Sequence, residues 1–124
     1  MKKAGHGSIV AIASDQAFKG YPAFAHYCAA KAGLVDLCWA LAFELAPTMR
    51  VKCVCPGPVD TPMMAAELEW FGDADEARRG TIAGVPMKRM AKPEEIAHFA
   101  RYVAIEATFM TGSMLSIDGG TTAG

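Results

Sequence analysis

The sequence predicts an α/β fold, a parallel sheet of about three strands covered by helices. Three observations point to it. Short, largely apolar runs at 7–13, 50–55 and 113–117 read as strands, the first of them suited to burial on both faces of a parallel sheet. A segment long enough for a helix separates each run from the next, as right-handed crossovers between parallel strands require. The 124 residues, 52% of them hydrophobic, suffice for one core and show no sign of a second domain.

The first strand, "GSIVAIA", is expected to stop at Ser14-Asp15. After a loop through "FKGYP", an Ala- and Leu-rich segment over 23–46 reads as a long helix. Pro47 ends it, since proline lacks the amide and clashes with the preceding turn. "RVKCVC" at 50–55 is the second strand, and "PGPVDTP", with three prolines and a glycine, reads as a loop. The stretch 63–90 mixes charges with Met63, Met64, Trp70 and Phe71 and reads as the least regular part of the chain. Pro93 followed by Glu94 and Glu95 marks a helix start, because proline suits the first turn and acids suit its positive end. That helix is expected to reach about 107. "SMLSI" is the last strand, and "DGG" stops it. There is no internal repeat, low-complexity tract or linker.

Twelve basic residues against thirteen acidic ones leave a formal charge of −1, with no basic footprint for nucleic acid or an anionic membrane. No apolar run approaches the roughly 18 residues of a membrane-spanning helix. "MKKAGHG" has charge but no apolar signal segment after it, so the expectation is a cytoplasmic protein with a small-molecule partner. Cys28, Cys38, Cys53 and Cys55 lack C-x-x-C spacing and read as packed thiols. His6, His26 and His98 are scattered, and no metal is expected.

The segment "HYCAAKAGL" raises a question, because it places Tyr27 and Lys31 in a helix otherwise suited to burial. Four positions apart on a helix, the phenol and the ammonium share one face and can approach one site together. Leu34, Cys38, Leu41 and Leu45 continue the stripe, which turns this face to the sheet. A nearby cation favours phenolate, and a shift of about 2 to 3 units from a free tyrosine's pKa near ~10 would suit acid–base work at neutral pH. The alternative is a surface tyrosine beside a surface lysine. Ser14 stands at the carboxyl end of the first strand, where parallel sheets bind ligands, so its hydroxyl could hold a substrate oxygen. It could equally be a turn residue that ends the strand. "PGPVDTP" follows a second strand end and would line the same crevice.

With these motifs in order, the chain resembles the C-terminal half of a short-chain dehydrogenase/reductase. "GSIVAIAS" resembles the family's fifth strand, "YCAAKAGL" its active-site helix and "CPGPVDTPM" its sixth-strand loop; "KPEEIA" and "TGSMLSIDGG" resemble its closing helix and last strand. The resemblance implies the C-terminal part of a Rossmann-like, doubly wound parallel sheet. It also implies hydride transfer between NAD or NADP and an alcohol or ketone. Tyr27 would exchange the proton at the substrate oxygen and Ser14 would hold that oxygen. Lys31 would lower the tyrosine pKa and bind the nicotinamide ribose. Pro56 and Gly57 would shape the nicotinamide pocket, while Val59 through its backbone and Thr61 through its hydroxyl would reach the carboxamide. The stretch 63–90 would correspond to the substrate loop. Family members usually form homo-dimers or homo-tetramers, and a helix 23–46 that is apolar on nearly every side fits a sheet on one face and a partner on another.

The family's phosphate loop, T-G-x-x-x-G-x-G, does not occur in these residues, nor do its first four strands or its catalytic asparagine. Backbone amides of that loop hold the cofactor pyrophosphate. The expectation is therefore that residues 1–124 form an incomplete Rossmann-like catalytic domain, inactive alone, with Met1 where the family has an internal residue. The alternative is a non-catalytic remnant acting as an oligomerising or binding module, whose open strand edge would invite aggregation. Ala11 and Lys52 stand where the family commonly has asparagines, and Lys52 is expected to disturb a structural hydrogen bond. "VAIEATFMTG" is about one residue shorter than usual.

Overall fold

The computed structural model describes residues 5–123; the expectation attached to Met1 lies outside them. In chain order the elements are β1 (Gly7–Ile12), α1 (Ala25–Leu45), β2 (Met49–Pro56), α2 (Pro62–Glu69), α3 (Ala74–Gly84), α4 (Pro93–Ile105) and β3 (Ser113–Ile117). All strand pairings are parallel, in the order β1-β2-β3. The α/β layering expected from the apolar runs is therefore present.

Burial explains why the central strand is apolar apart from Arg50 and Lys52. Val51, Cys53, Val54 and Cys55 of β2 are wholly inaccessible. Val35, Cys38 and Ala42 of α1 pack on Val51, Cys53 and Cys55, with Ile9, Ala11 and Met114 of the flanking strands closing the layer. The cysteines are free thiols in this core, apart from the half-buried Cys28. α4 covers the opposite face with Val103, also inaccessible. α1 keeps a second apolar face outward, where Leu37, Trp39 and Phe43 are exposed.

Element ends differ from expectation by one or two residues, for local reasons. β1 ends at Ile12, although the Ala13 amide still donates to the Val54 carbonyl at 2.8 Å. α1 starts at Ala25 because Ala23 has a φ of 67°, which right-handed helix cannot accommodate.

The larger correction is 63–90, which is two capped helices. Thr61 starts α2: its hydroxyl accepts from the Met64 amide at 3.2 Å, and Pro62 occupies the first turn. Thus the proline-rich loop also carries a helix start. Asp73 caps α3, accepting from the amides of Asp75 and Glu76 at 2.9 and 3.0 Å. The acids Asp73, Asp75 and Glu76, among the charges that made this stretch look irregular, sit at the helix end they stabilise.

Lys52 does not leave a broken hydrogen bond. It is 0% exposed, and its ammonium donates to the Val103 carbonyl at 2.6 Å and to Ser8 Oγ at 3.4 Å. Arg50 donates to the Ala104 carbonyl at 3.2 Å. Two cations thus meet carbonyls of the last turn of α4, the negative end of the helix. Burial, with Arg50 adding to it, holds the Lys52 ammonium pKa below the usual lysine range.

Candidate active site

The carboxyl ends of β1 and β2 open into a cavity of about 370 Å³. Ser14, Tyr27, Lys31, Pro56, Gly57, Val59 and Thr61 all line it. The end of β1 delivers Ser14, the first turns of α1 deliver Tyr27 and Lys31, and the last residue of β2 with the segment after it delivers the rest.

Ser14 is 6% exposed and extended, and it caps a single 3-10 turn over Asp15–Ala17. Its hydroxyl accepts from the Gln16 amide at 3.2 Å and donates to Asp15 Oδ1 at 3.1 Å. The turn role and the place at the cavity coexist in one residue.

Tyr27 and Lys31 face the same side. The Lys31 ammonium lies 5.4 Å from the centre of the Tyr27 ring and donates to the Ile12 carbonyl at 3.0 Å, satisfying the acceptor exposed where β1 ends. The phenol pKa is pushed up rather than down. Burial is the main cause; Ser14 opposes it, and the carboxylates of Glu67 and Asp15 add to the rise. The lysine is engaged over the ring and with the backbone, and its ammonium stays on the phenol's side of the helix.

After β2, Gly57 answers to a close approach: a Cβ there would stand 2.7 Å from the Asp118 carbonyl oxygen. Val59 forms an isolated parallel bridge with Ala91, in which the Asp60 amide and the Pro58 carbonyl pair with Ala91 at 2.9 Å each. In a parallel bridge this turns Val59's own amide and carbonyl the other way. The backbone role expected of Val59 is thus sterically open. The Thr61 hydroxyl, by contrast, caps α2 and contacts the Val59 carbonyl at 3.4 Å, which commits it locally.

Residues that sequence reasoning passed over complete the site. Asp15 is 4% exposed and pairs with Lys19 at 2.9 Å. Thr121 donates to it from beyond β3. Glu67 reaches the cavity from α2, and Gly80, Thr81 and Gly84 line it from α3. Asp15 was legible as an acid beside a strand-end serine; Thr121 and Glu67 had no local signal. Among the described residues, no group of three or more His, Cys, Asp or Glu side chains could hold a metal ion, and no helix is long and apolar enough to cross a membrane.

The family model for enoyl-(acyl carrier protein) reductase matches residues 1–122. The chain belongs to the short-chain dehydrogenase/reductase family. It is 38% identical over 122 residues to the 3-oxoacyl-[acyl-carrier-protein] reductase FabG of Chlamydia muridarum, covering 97% of this chain and 47% of that protein. A variant actinorhodin polyketide ketoreductase, solved with NADPH, superimposes with a TM-score of 0.92 at 37% identity, over 100% of this chain and 50% of that one. The ligand-free aldohexose dehydrogenase of Thermoplasma acidophilum gives a TM-score of 0.90 at 31% identity, over 97% and 49%. The chain therefore spans about half the length of the dehydrogenase/reductase relatives it matches, and its three strands are part of their Rossmann-like sheet. These relatives are oxidoreductases.

Proposed function

We propose that the protein is an NAD(P)-dependent oxidoreductase moving hydride between the cofactor and a small alcohol or ketone, with Tyr27 as the proton donor and acceptor. The observation that carries this is the convergence of Ser14, Tyr27 and Lys31 on one cavity at the carboxyl ends of parallel strands. The nicotinamide supplies or accepts the hydride when bound.

The residues present suit the nicotinamide end of such a cofactor. Lys31 uses one ammonium proton on the Ile12 carbonyl and has two left for ribose hydroxyls. Val59 turns its amide and carbonyl away from Ala91, the carbonyl meeting the Thr61 hydroxyl at 3.4 Å. Pro56 and Gly57 hold the wall against Asp118. Thr61 would join only by giving up a helix cap.

In the reducing direction, Tyr27 gives its phenolic proton to the substrate oxygen as hydride arrives at carbon. Its raised pKa weakens the phenol as an acid, so the transfer depends on its being positioned at the substrate oxygen. Ser14 would steady the same oxygen by turning its one hydroxyl proton from Asp15 toward it. Residues 1–124 are then the catalytic half of one domain. The phosphate-binding half would pair with the outer edge of β1, which has no partner strand among the described residues. A homo-dimer or homo-tetramer would cover Leu37, Trp39 and Phe43 on α1, the last of these 87% exposed.

The test is turnover and cofactor titration with the complete protein. Tyr27→Phe should lower kcat by about 10²- to 10⁴-fold, the worth of a positioned acid–base group, with cofactor affinity largely kept. Retained turnover removes Tyr27 from its role. Neither turnover nor nicotinamide binding in the complete protein would favour a non-catalytic binding module.

A further inference from the structure

The cavity contains one charge that the proposed reaction does not use. Its titratable lining consists of Asp15, Lys19, Tyr21, Tyr27, Lys31 and Glu67. Asp15 and Lys19 neutralise each other at 2.9 Å, and Lys31 is bound to the Ile12 carbonyl. Glu67 stands apart. Among the described residues it takes part in none of the ion pairs, which join Lys19 to Asp15, Arg78 to Asp60, Arg89 to Glu95 and Arg101 to Glu106. Burial alone raises its carboxyl pKa, with no cation opposing.

Position makes this charge matter. Glu67 follows Met63 and Met64 by about one helical turn, so all three reach the cavity from one side of α2. The carboxylate is close enough to Tyr27 to raise the phenol pKa electrostatically. A half-buried carboxylate against methionine side chains is costly without a donor, and the open side of the cavity is where a donor can come from.

We infer that Glu67 is a specificity-determining residue that accepts a hydrogen bond from the substrate, selecting compounds with a hydroxyl or ammonium donor near the reacting carbonyl and rejecting carboxylates. This rests on the proposed function. It adds a substrate class to it: polar ketones or alcohols, neutral or cationic. Rejection of a carboxylate follows from like charges brought together in one pocket.

The test compares three ketones on one carbon skeleton, a hydroxyketone, an aminoketone and a keto acid, using the complete protein with nicotinamide cofactor. Wild type should prefer the first two over the keto acid in kcat/KM by about 10²-fold. Glu67→Gln, whose amide oxygen still accepts, should keep the hydroxyketone preference. It should narrow the aminoketone to keto acid ratio by about 10-fold or more. Glu67→Ala should lose both preferences. Binding of the same ketones by calorimetry is measured alongside. Loss of turnover with the charge preference retained in binding counts against Tyr27 chemistry and upholds Glu67. An aminoketone to keto acid ratio unchanged by Glu67→Gln and Glu67→Ala, in turnover and in binding, overturns the inference.

Discussion

Thr121 donates its hydroxyl proton to the Asp15 carboxylate across 2.6 Å, although 106 residues separate the two in sequence. The same carboxylate accepts from Ser14 at 3.1 Å and pairs with Lys19 at 2.9 Å, and Lys19 also reaches the Thr121 carbonyl at 3.5 Å. The segment after β3 is thereby fastened to the serine at the end of β1. Thr121→Val keeps the shape but removes a donor from a carboxylate that is 4% exposed. Unfolding free energy should fall by about 1–2 kcal/mol, the net worth of one hydrogen bond to a carboxylate that keeps Ser14 and Lys19, as read from urea denaturation. An unchanged midpoint would show that the latch is dispensable.

Gly57 is restricted by space. An added Cβ meets the Asp118 carbonyl oxygen at 2.7 Å and Asp118 Cα at 2.8 Å, both backbone atoms that cannot swing aside. Gly57→Ala should therefore cost about 1–3 kcal/mol of stability, as overpacking does. It should also weaken the Gly57 amide bond to the Ile117 carbonyl, now 3.2 Å, which hydrogen exchange at that amide would report.

Glu95 links α4 to the segment bridged to Val59. It holds Arg89 through two bonds of 2.7 Å and accepts from the Lys92 amide at 2.8 Å. Arg89 leads the groups that hold its carboxyl at about 2, against an ordinary 4.5. A carboxyl depressed in the folded state stabilises above its unfolded pKa and loses that contribution as pH falls. Between pH 4.5 and about 2, Tm should drop more steeply for wild type than for Glu95→Gln. Parallel Tm profiles would contradict this.

Lys52 has the opposite sign. Its folded pKa lies below the unfolded 10.5 because burial disfavours the ammonium. Below the folded pKa the amine is charged in both states, and the burial cost is present in full. As pH rises toward 10.5 the folded state loses the proton first and stability is regained. The stability of wild type relative to Lys52→Met should therefore improve between neutral pH and 10.5. Denaturation midpoints of the two proteins across that range provide the check, and a constant difference would contradict the buried charge.

The outline of the fold was legible because its signals are local. Strands within a covered parallel sheet are mostly apolar, so 7–13, 50–55 and 113–117 stood out despite Arg50 and Lys52; Pro47 and Pro93 bounded two helices for reasons internal to the backbone. The stretch 63–90 was misread although its caps, Thr61 and Asp73, were present, because charge at a helix start and charge in a loop look alike without the helix.

Of the candidate site, the four-residue spacing of Tyr27 and Lys31 and the strand-end places of Ser14 and Val59 follow from the sequence, since helix pitch and strand polarity dictate them. Tertiary structure alone decided which charges meet. It sent Lys31 to the Ile12 carbonyl, brought Glu67 near the phenol and raised its pKa, buried Lys52 under α4 and joined Thr121 to Asp15. Desolvation and charge pairing depend on distance through space, which residue order does not contain.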